Sequence, residues 1–333
     1  MYKTKTTRLF ALMAALMFAA ASFAAVAAVD DAQPAAAAEP AAEKKTGSDV
    51  AAEALIALAQ SQANSINTQL TAMRTYTNIL SSAATNVFTN PKMYQPVSIA
   101  PPMAENKDKL ALQYVFPRGV KRDDVIDDVR LAGNCSSMLY EIPDNDSAVV
   151  SSYISTNEGL HVVCDKSSAT RIVKGFNFDP RKRDWYKRAE STGKLGFSSV
   201  FEDARGRGLA VVCSAPVTDG SDKLKGVAGI GAIVSELGES VLELKLGDGG
   251  YAFVIDSNGN RIISNDLKKD KKGNTVLVNM LKDKNPGIAA AAKKMVARET
   301  GSDRIEIDGK KAFIAYAPVK SVTWSVAVVA FAE

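Results

Sequence analysis

The side chains that carry reactive chemistry are few in this chain, and their spacing removes most reactions before any fold is considered. One histidine, His161, stands among 333 residues, so neither a multi-histidine metal set nor a His-Glu-x-x-His helix can be assembled. Cys135, Cys164 and Cys213 have no close pair and make no zinc knuckle. His161 sits beside Val162 and Val163 with no obvious acid partner, which reads as an ordinary half-buried strand residue and not as part of a Ser-His-Asp or Cys-His set. Asp256-Ser257-Asn258-Gly259-Asn260 begins like a calcium loop, but its glycine falls at position four instead of six and position twelve is Leu267, so a hairpin turn is expected. Gly206-x-Gly208 lacks the third glycine and the helix of a dinucleotide site and reads as a turn. What remains is binding chemistry around Arg183-x-Trp185-Tyr186. A guanidinium is a planar fork that pairs bidentately with a carboxylate, and the two aromatic residues add single hydrogen bonds and apolar walls. The same three residues also suit simple packing, with Trp185 as core and Arg183 tied to Asp179 or Asp203. Arg181-Lys182-Arg183 is by default a solvated flank.

The elements that position these residues follow from hydrophobic period. Leu55, Leu58, Ile66, Leu70, Met73, Leu80 and Val87 recur at near-helical spacing, with Ser48 as N-cap and Asn90-Pro91 as the stop. About 40 helical residues reach about 60 Å, so this helix must run beside more than one sheet. Residues 91–245 then give a helix over 123–140, strands over 148–156, 160–165, 196–203, 209–217 and 226–234, a helix around Trp185 to Ser191, and a short helix over 235–245. After Gly247-Asp248-Gly249-Gly250 the plan repeats over 246–333, with strands at 251–256, 260–264, 303–308, 311–318 and 323–331 and a helix over 276–298. The fold class is α+β, with two tandem antiparallel sheets flanked by one long N-terminal helix. The cysteines in Val162-Val163-Cys164 and Val211-Val212-Cys213 lie in apolar strand-like runs and, with Cys135, are expected as buried small hydrophobes.

Phe178-Asp179-Pro180-Arg181-Lys182-Arg183-Asp184-Trp185-Tyr186, followed in order by Phe201-Glu202-Asp203, Ser214-Ala215-Pro216-Val217, Gly226-Val227-Ala228-Gly229 and Gly250-Tyr251-Ala252-Phe253-Val254-Ile255-Asp256, resembles the double Cache family of extracytoplasmic sensor domains over about residues 48–333. The resemblance implies two PAS-like sheets on a long N-terminal helix, with a small molecule held in the membrane-distal one, residues 91–245. Carried over from the family's amino-acid sensors, Arg183, Trp185 and Tyr186 hold the ligand carboxylate. The positions that would hold the ammonium group, two tyrosines and an aspartate in those relatives, are Phe178, Phe201 and Gly231 here, and Asp203 completes the candidate set. The resemblance therefore implies a carboxylate ligand without an ammonium group. No cofactor, metal or catalytic residue is expected.

Lys3, Lys5 and Arg8, an apolar core from Leu9 to Phe18 and Ala25-Val26-Ala27 compose a secretory signal peptide over 1–27. The rival is an uncleaved inner-membrane anchor from Leu9 to Val29, since 21 residues can span a bilayer. Residues 28–47, rich in Ala, Pro and Glu, read as a flexible linker. Cleavage lowers the formal charge from +4 to +1, which gives no electrostatic case for nucleic acid. The chain ends on a strand, so it is expected to present its ligand state to a separate membrane histidine kinase or chemoreceptor. The alternatives are an envelope interaction protein that binds no ligand, or an anchored fragment of such a receptor or kinase. A stripe of Leu58, Ile66, Met73 and Leu80, partly free of the sheets, would support a weak homodimer.

Overall fold

A helix of 43 residues, α1 (Gly47–Thr89), is the spine of the structure, a computed structural model that describes residues 47–106, 109–166 and 177–332. The signal peptide and nearly all of the linker lie outside the described residues. Ser48 falls inside the helix and is not its cap. None of the described helices is long and apolar enough to cross a membrane. Ile66, Leu70, Met73, Leu80 and Val87 are buried as the period predicts, and Ala59, Ala63, Thr77 and Ala84 complete the stripe. Ile66, Met73 and Leu80 of the expected stripe are covered within the chain and Leu58 is half-buried, while Val50 and Ile79 are the large apolar residues exposed on the described part of α1.

The first sheet has seven antiparallel strands: β1 (Ala111–Val115), β2 (Val149–Thr156), β3 (His161–Asp165), β4 (Gly196–Phe197), β5 (Phe201–Glu202), β6 (Leu209–Thr218) and β7 (Leu224–Ile233). Their order is β1-β3-β2-β7-β6-β4, with β5 also on β6. Strand β1 was not expected, because the prolines before it mask a five-residue run. The single helix expected over 123–140 is two, α2 (Arg122–Ala132) and α3 (Ser136–Asn145), joined by a tight turn at Gly133. A Cβ at Gly133 would come 2.7 Å from the Val97 carbonyl oxygen, so only glycine admits that crossing. Helix α4 (Asp184–Thr192) covers the opposite face of the sheet and ends on Gly193, whose φ of 61° is the left-handed stop.

The short helix expected over 235–245 is two single turns, α5 (Val234–Leu237) and α6 (Glu239–Leu242), broken at Gly238 where a Cβ would lie 2.9 Å from Ile263 Cγ2. The second sheet follows: β8 (Tyr251–Ile255), β9 (Asn260–Ile263), β10 (Val278–Asn279), β11 (Gly301–Ile307), β12 (Lys310–Pro318) and β13 (Ser325–Phe331), in the order β10-β9-β8-β13-β12-β11. The helix expected from Val276 is shorter, α7 (Pro286–Val296). Asn285 caps it by accepting from the amides of Gly287 and Ile288, and Pro286 takes the first turn.

Strand alternation sorts the side chains into layers. Ile154, Val162, Cys164, Val211, Cys213, Ala228 and Ile230 of the first sheet, and Val254, Val326 and Val328 of the second, share one core with α1. The other face of the second sheet packs Phe253, Ile255, Ala327 and Val329 against α7. Helix α1 is bonded to both sheets: Thr77 Oγ1 donates to the Cys213 carbonyl at 3.3 Å, Ser81 Oγ to the Pro216 carbonyl at 2.5 Å, and Asn67 Oδ1 accepts from the Ser321 amide at 2.8 Å. Cys135, Cys164 and Cys213 are free thiols and buried, and burial raises all three, Cys164 to about 12. The Asp256 segment is a hairpin turn in which Asp256 Oδ1 accepts from the amides of Asn258 and Asn260.

Candidate functional site

On the face of the first sheet turned away from α1, directly opposed residues form rows. Asp165 on β3 opposes Ser151 on β2, Ser151 opposes Gly231 on β7, and Gly231 opposes Val212 on β6. One row along, Val163 opposes Tyr153, which opposes Gly229; a further row pairs His161 with Ser155. The two glycines matter for space. A Cβ at Gly229 would fall 2.6 Å from Tyr153 Cζ, and one at Gly231 would fall 2.6 Å from Ser151 Oγ. Without them the Tyr153 ring lies across its neighbouring strand under helix α4, its centroid 4.7 Å from that of Trp185.

A cavity of about 90 Å³ opens between this face, the start of α4 and the loop after β5, several times the roughly 10–15 Å³ that holds one water. Phe178, Arg183, Trp185, Phe201, Asp203 and Gly231 all line it, six of the seven candidates. Tyr186 is not in the lining. It is buried beneath α4 among Val212, Val227 and Ala189, and its Oη has no partner among the described residues. Burial raises its hydroxyl, which leaves it neutral. Its place in a carboxylate clamp is therefore not supported by the geometry, because the helix turns it toward the sheet while Trp185 stays at the wall.

Arg183 occupies the extended position between the tight turn Pro180–Lys182 and α4. Neither of the acids expected to hold it does so. Asp179 is taken by Arg181, which donates Nε to Oδ1 at 2.9 Å and Nη2 to Oδ2 at 3.0 Å. Asp203 is taken by Arg207 through Nε at 3.0 Å and Nη2 at 3.1 Å, and accepts the Arg205 amide at 3.0 Å. Burial works to raise the Asp203 carboxyl, but the Arg207 guanidinium outweighs it and holds the group below its ordinary range. The Arg183 Cζ instead stands 5.9 Å from the Phe178 centroid and 5.6 Å from that of Phe201. No carboxylate among the described residues pairs with it.

Five lining groups went unread in the sequence. Asp165, fully buried at its side chain, pairs with Arg205 and, at 3.4 Å, with Arg207 Nη1. Arg205 and Arg207 come from the segment expected to be a turn. It is one, with φ of 76° at Gly206 and 113° at Gly208, and those glycines let both flanking arginines point back into the cavity. His161 is buried, not half-buried, and shares a hydrogen with Ser155 Oγ across 2.7 Å from Nδ1. Burial and then the Arg205 charge lower it to about 3, so it is neutral near pH 7. Tyr153 is raised well above its ordinary value by burial, and its Oη has no hydrogen-bond partner among the described residues. Alternation alone, with His161 and Asp165 two steps either side of Val163, was the signal that could have placed them on one face.

Among the described residues, two carboxylates neutralised by two arginines, and a third arginine left with aromatic partners, give the cavity a net positive lining. A long helix carrying two antiparallel sheets, the first hollowed by such a cavity, is the plan of a sensor domain. The chain belongs to the double Cache family: the family model, described as a Cache domain, matches residues 44–332. In chemoreceptors these domains are non-enzymatic sensors. Methyl-accepting chemotaxis protein McpA of Pseudomonas putida is 32% identical over 143 residues, 43% of this chain and 20% of that protein. The chain thus spans about a fifth of that relative's length. Among solved structures, the ligand-binding domain of the Pseudomonas aeruginosa amino acid chemoreceptor PctC in complex with GABA matches with a TM-score of 0.54 at 20% identity, covering 84% of this chain and 99% of that one. The PctB domain of the same organism in complex with L-Arg matches with a TM-score of 0.52 at 15% identity, over 84% and 95%. At such identities these structures establish the fold.

Proposed function

We propose that this chain is the sensing module of an extracytoplasmic signalling system, that residues 91–245 hold its ligand, and that the ligand is a small carboxylate bound through Arg183. The observation that carries the reading is the guanidinium of Arg183 on the cavity wall, with no carboxylate partner among the described residues, beside two acids that other arginines already neutralise. A carboxylate entering there meets a planar bidentate donor. An α-ammonium would meet phenyl rings at Phe178 and Phe201 and no side chain at Gly231. Stripped of water without a partner, such a charge costs several kcal/mol. PctB is seen in complex with L-Arg and PctC with GABA, so this chain is proposed to differ from them in the amino half of the ligand and to share the acid half. The cavity itself weighs against a decayed, dry pocket. Residues 1–27 are proposed to direct export, and a membrane chemoreceptor or histidine kinase to read the bound state.

A thermal-shift screen of acids against their amino counterparts tests this reading. At about 100 times its Kd, a ligand adds roughly 2.7 kcal/mol, and each kcal/mol moves Tm by about 2–4 °C at this size, so a rise of several degrees is expected with the acids. Arg183→Ala should abolish the rise while keeping the unliganded Tm close to that of the parent. Equal or larger shifts with ordinary amino acids, or acid shifts that survive Arg183→Ala, would refute it.

A further inference from the structure

We infer that the hairpin between β9 and β10 docks on an anionic lipid surface, its lysines meeting the headgroups and its aliphatic side chains entering beneath them. This goes beyond the ligand reading and uses neither Arg183 nor the cavity.

The hairpin is held in shape and stands clear of the body. The Val276 amide donates to the Lys268 carbonyl at 2.8 Å, Lys269 opposes Thr275, and the Asp270 amide donates to the Asn274 carbonyl at 2.8 Å. Asp270 Oδ1 accepts from the amides of Lys272 and Asn274 and closes the tip. At the base, the Thr275 amide donates to Glu202 Oε2 at 3.1 Å, which fixes the hairpin to β5. Strand β10, where the hairpin ends, is the outermost strand of the second sheet. Residues 268–278 are all exposed except Thr275. Lys268, Lys269, Lys271 and Lys272 stand there against a single acid, Asp270, and Lys282 and Lys284, also exposed, follow just past β10. Val276, Leu277 and Val278 are 45%, 40% and 41% exposed. They are consecutive, whereas the other exposed large apolar side chains among the described residues, Val50, Ile79, Met93 and Tyr140, are scattered. A contiguous apolar patch marks a contact surface where single exposed residues do not.

Composition separates the occupants that such a patch could meet. Protein interfaces are enriched in aromatic residues, Met and Arg and depleted in Lys, and their strongest anchors are Trp, Tyr and Arg; residues 268–278 contain none of the enriched types. Nucleic acids are held by arginine forks and by aromatic rings that stack on bases, which the same stretch lacks. A lipid surface has headgroups in no fixed arrangement, so it suits compact charges on long flexible stems and aliphatic side chains that need no polar partner. Lysines beside Val276, Leu277 and Val278 supply both. Each lysine near an anionic surface strengthens binding about fivefold.

Leu277→Cys, labelled with the environment-sensitive dye nitrobenzoxadiazole, tests this on the full-length chain, because Cys135, Cys164 and Cys213 are buried. With vesicles of phosphatidylcholine and phosphatidylglycerol in equal parts, the emission should brighten and shift to the blue; with phosphatidylcholine alone it should stay in place. The dye reads the hairpin itself, so vesicle association through the apolar residues 9–29 does not imitate the signal. Adding Lys271→Glu and Lys272→Glu should raise the lipid concentration at half-signal at least about twentyfold. Salt at about 1 M, where the screening length falls to about 3 Å, should release the hairpin. The same charge change at Lys310 and Lys311, exposed at the start of β12, should move the half-point far less than the hairpin pair does. An unshifted dye on anionic vesicles, which is the result expected of a surface that serves an acidic protein, overturns the inference. So does an equal shift on neutral vesicles, or an equal loss from the Lys310 and Lys311 pair. Acid binding through Arg183 stands or falls separately.

Discussion

His161 makes the stability of this domain sensitive to acid, and the size of the effect can be worked out from its surroundings. Burial and the nearby Arg205 guanidinium lower the imidazole from 6.5 to about 3 in the folded chain; Tyr153, Asp165, Asp203, Arg183 and Arg207 also line the cavity. In the unfolded chain His161 binds a proton near its ordinary value, so below pH 6.5 the unfolded state gains protons that the folded state refuses. The contribution is full above pH 6.5 and is lost progressively as the pH falls toward 3. At 1.36 kcal/mol per unit, going from neutral pH to pH 5 removes about 2 kcal/mol, or about 4–8 °C in Tm. The perturbation is His161→Asn, whose amide can still meet Ser155 Oγ but does not titrate. Other groups also titrate over this range, and the difference between the two proteins cancels them. Melting curves at pH 7.5, 6 and 5 should show the parent losing about 2 kcal/mol more than the variant by pH 5. Parallel losses would mean that His161 is charged in the folded protein, and the account of a neutral wall would be wrong.

Two further predictions concern the scaffold. Gly229→Ala should destabilise by about 1–3 kcal/mol, since the new Cβ lies 2.6 Å from Tyr153 Cζ and Trp185 blocks the ring's retreat; an unchanged urea midpoint would show that the ring has room to move. Leu70→Ala, at a fully buried position of α1, should cost about 2–5 kcal/mol. Because α1 is shared by both sheets, the fluorescence of Trp185 and of Trp324, each isolated by replacing the other with Phe, should report one common midpoint before and after that change, and separated midpoints would contradict a shared core.

The scaffold was legible because its signals are long and repetitive. The stripe from Leu55 to Val87 fixes a helix whatever lies next to it, and runs such as Val211-Val212-Cys213 can be accommodated only in a strand or a buried segment. What was missed is short or set by contacts distant in sequence. Strand β1 is five residues behind prolines, and β10 is two residues. The breaks at Gly133 and Gly238 exist because Val97 and Ile263 come too close for a Cβ, and neither neighbour can be read from the local run. The expected helix from Val276 begins at Pro286 because Asn285 and Pro286 form a better start than anything before them.

The site was half legible, and the missing half changes its chemistry. Arg183 and Trp185 could be picked out by type and spacing, and the family resemblance supplied Phe178, Phe201, Asp203 and Gly231. The charge balance could not be seen, since it depends on which arginine takes which acid. With Asp179 given to Arg181, Asp203 to Arg207 and Asp165 shared by Arg205 and Arg207, each of these three acids already has an arginine partner. The two arginines that bring this about sit in Ala204-Arg205-Gly206-Arg207-Gly208, a segment whose glycines read as a turn and conceal that a turn can aim its side chains inward. Under the proposed reading, a pocket with Phe178, Phe201 and Gly231 in place of ammonium-binding groups would be only a weaker amino-acid site if Asp165 and Asp203 were open. With both engaged by Arg205 and Arg207, that reading instead favours an acid whose remaining polarity is uncharged.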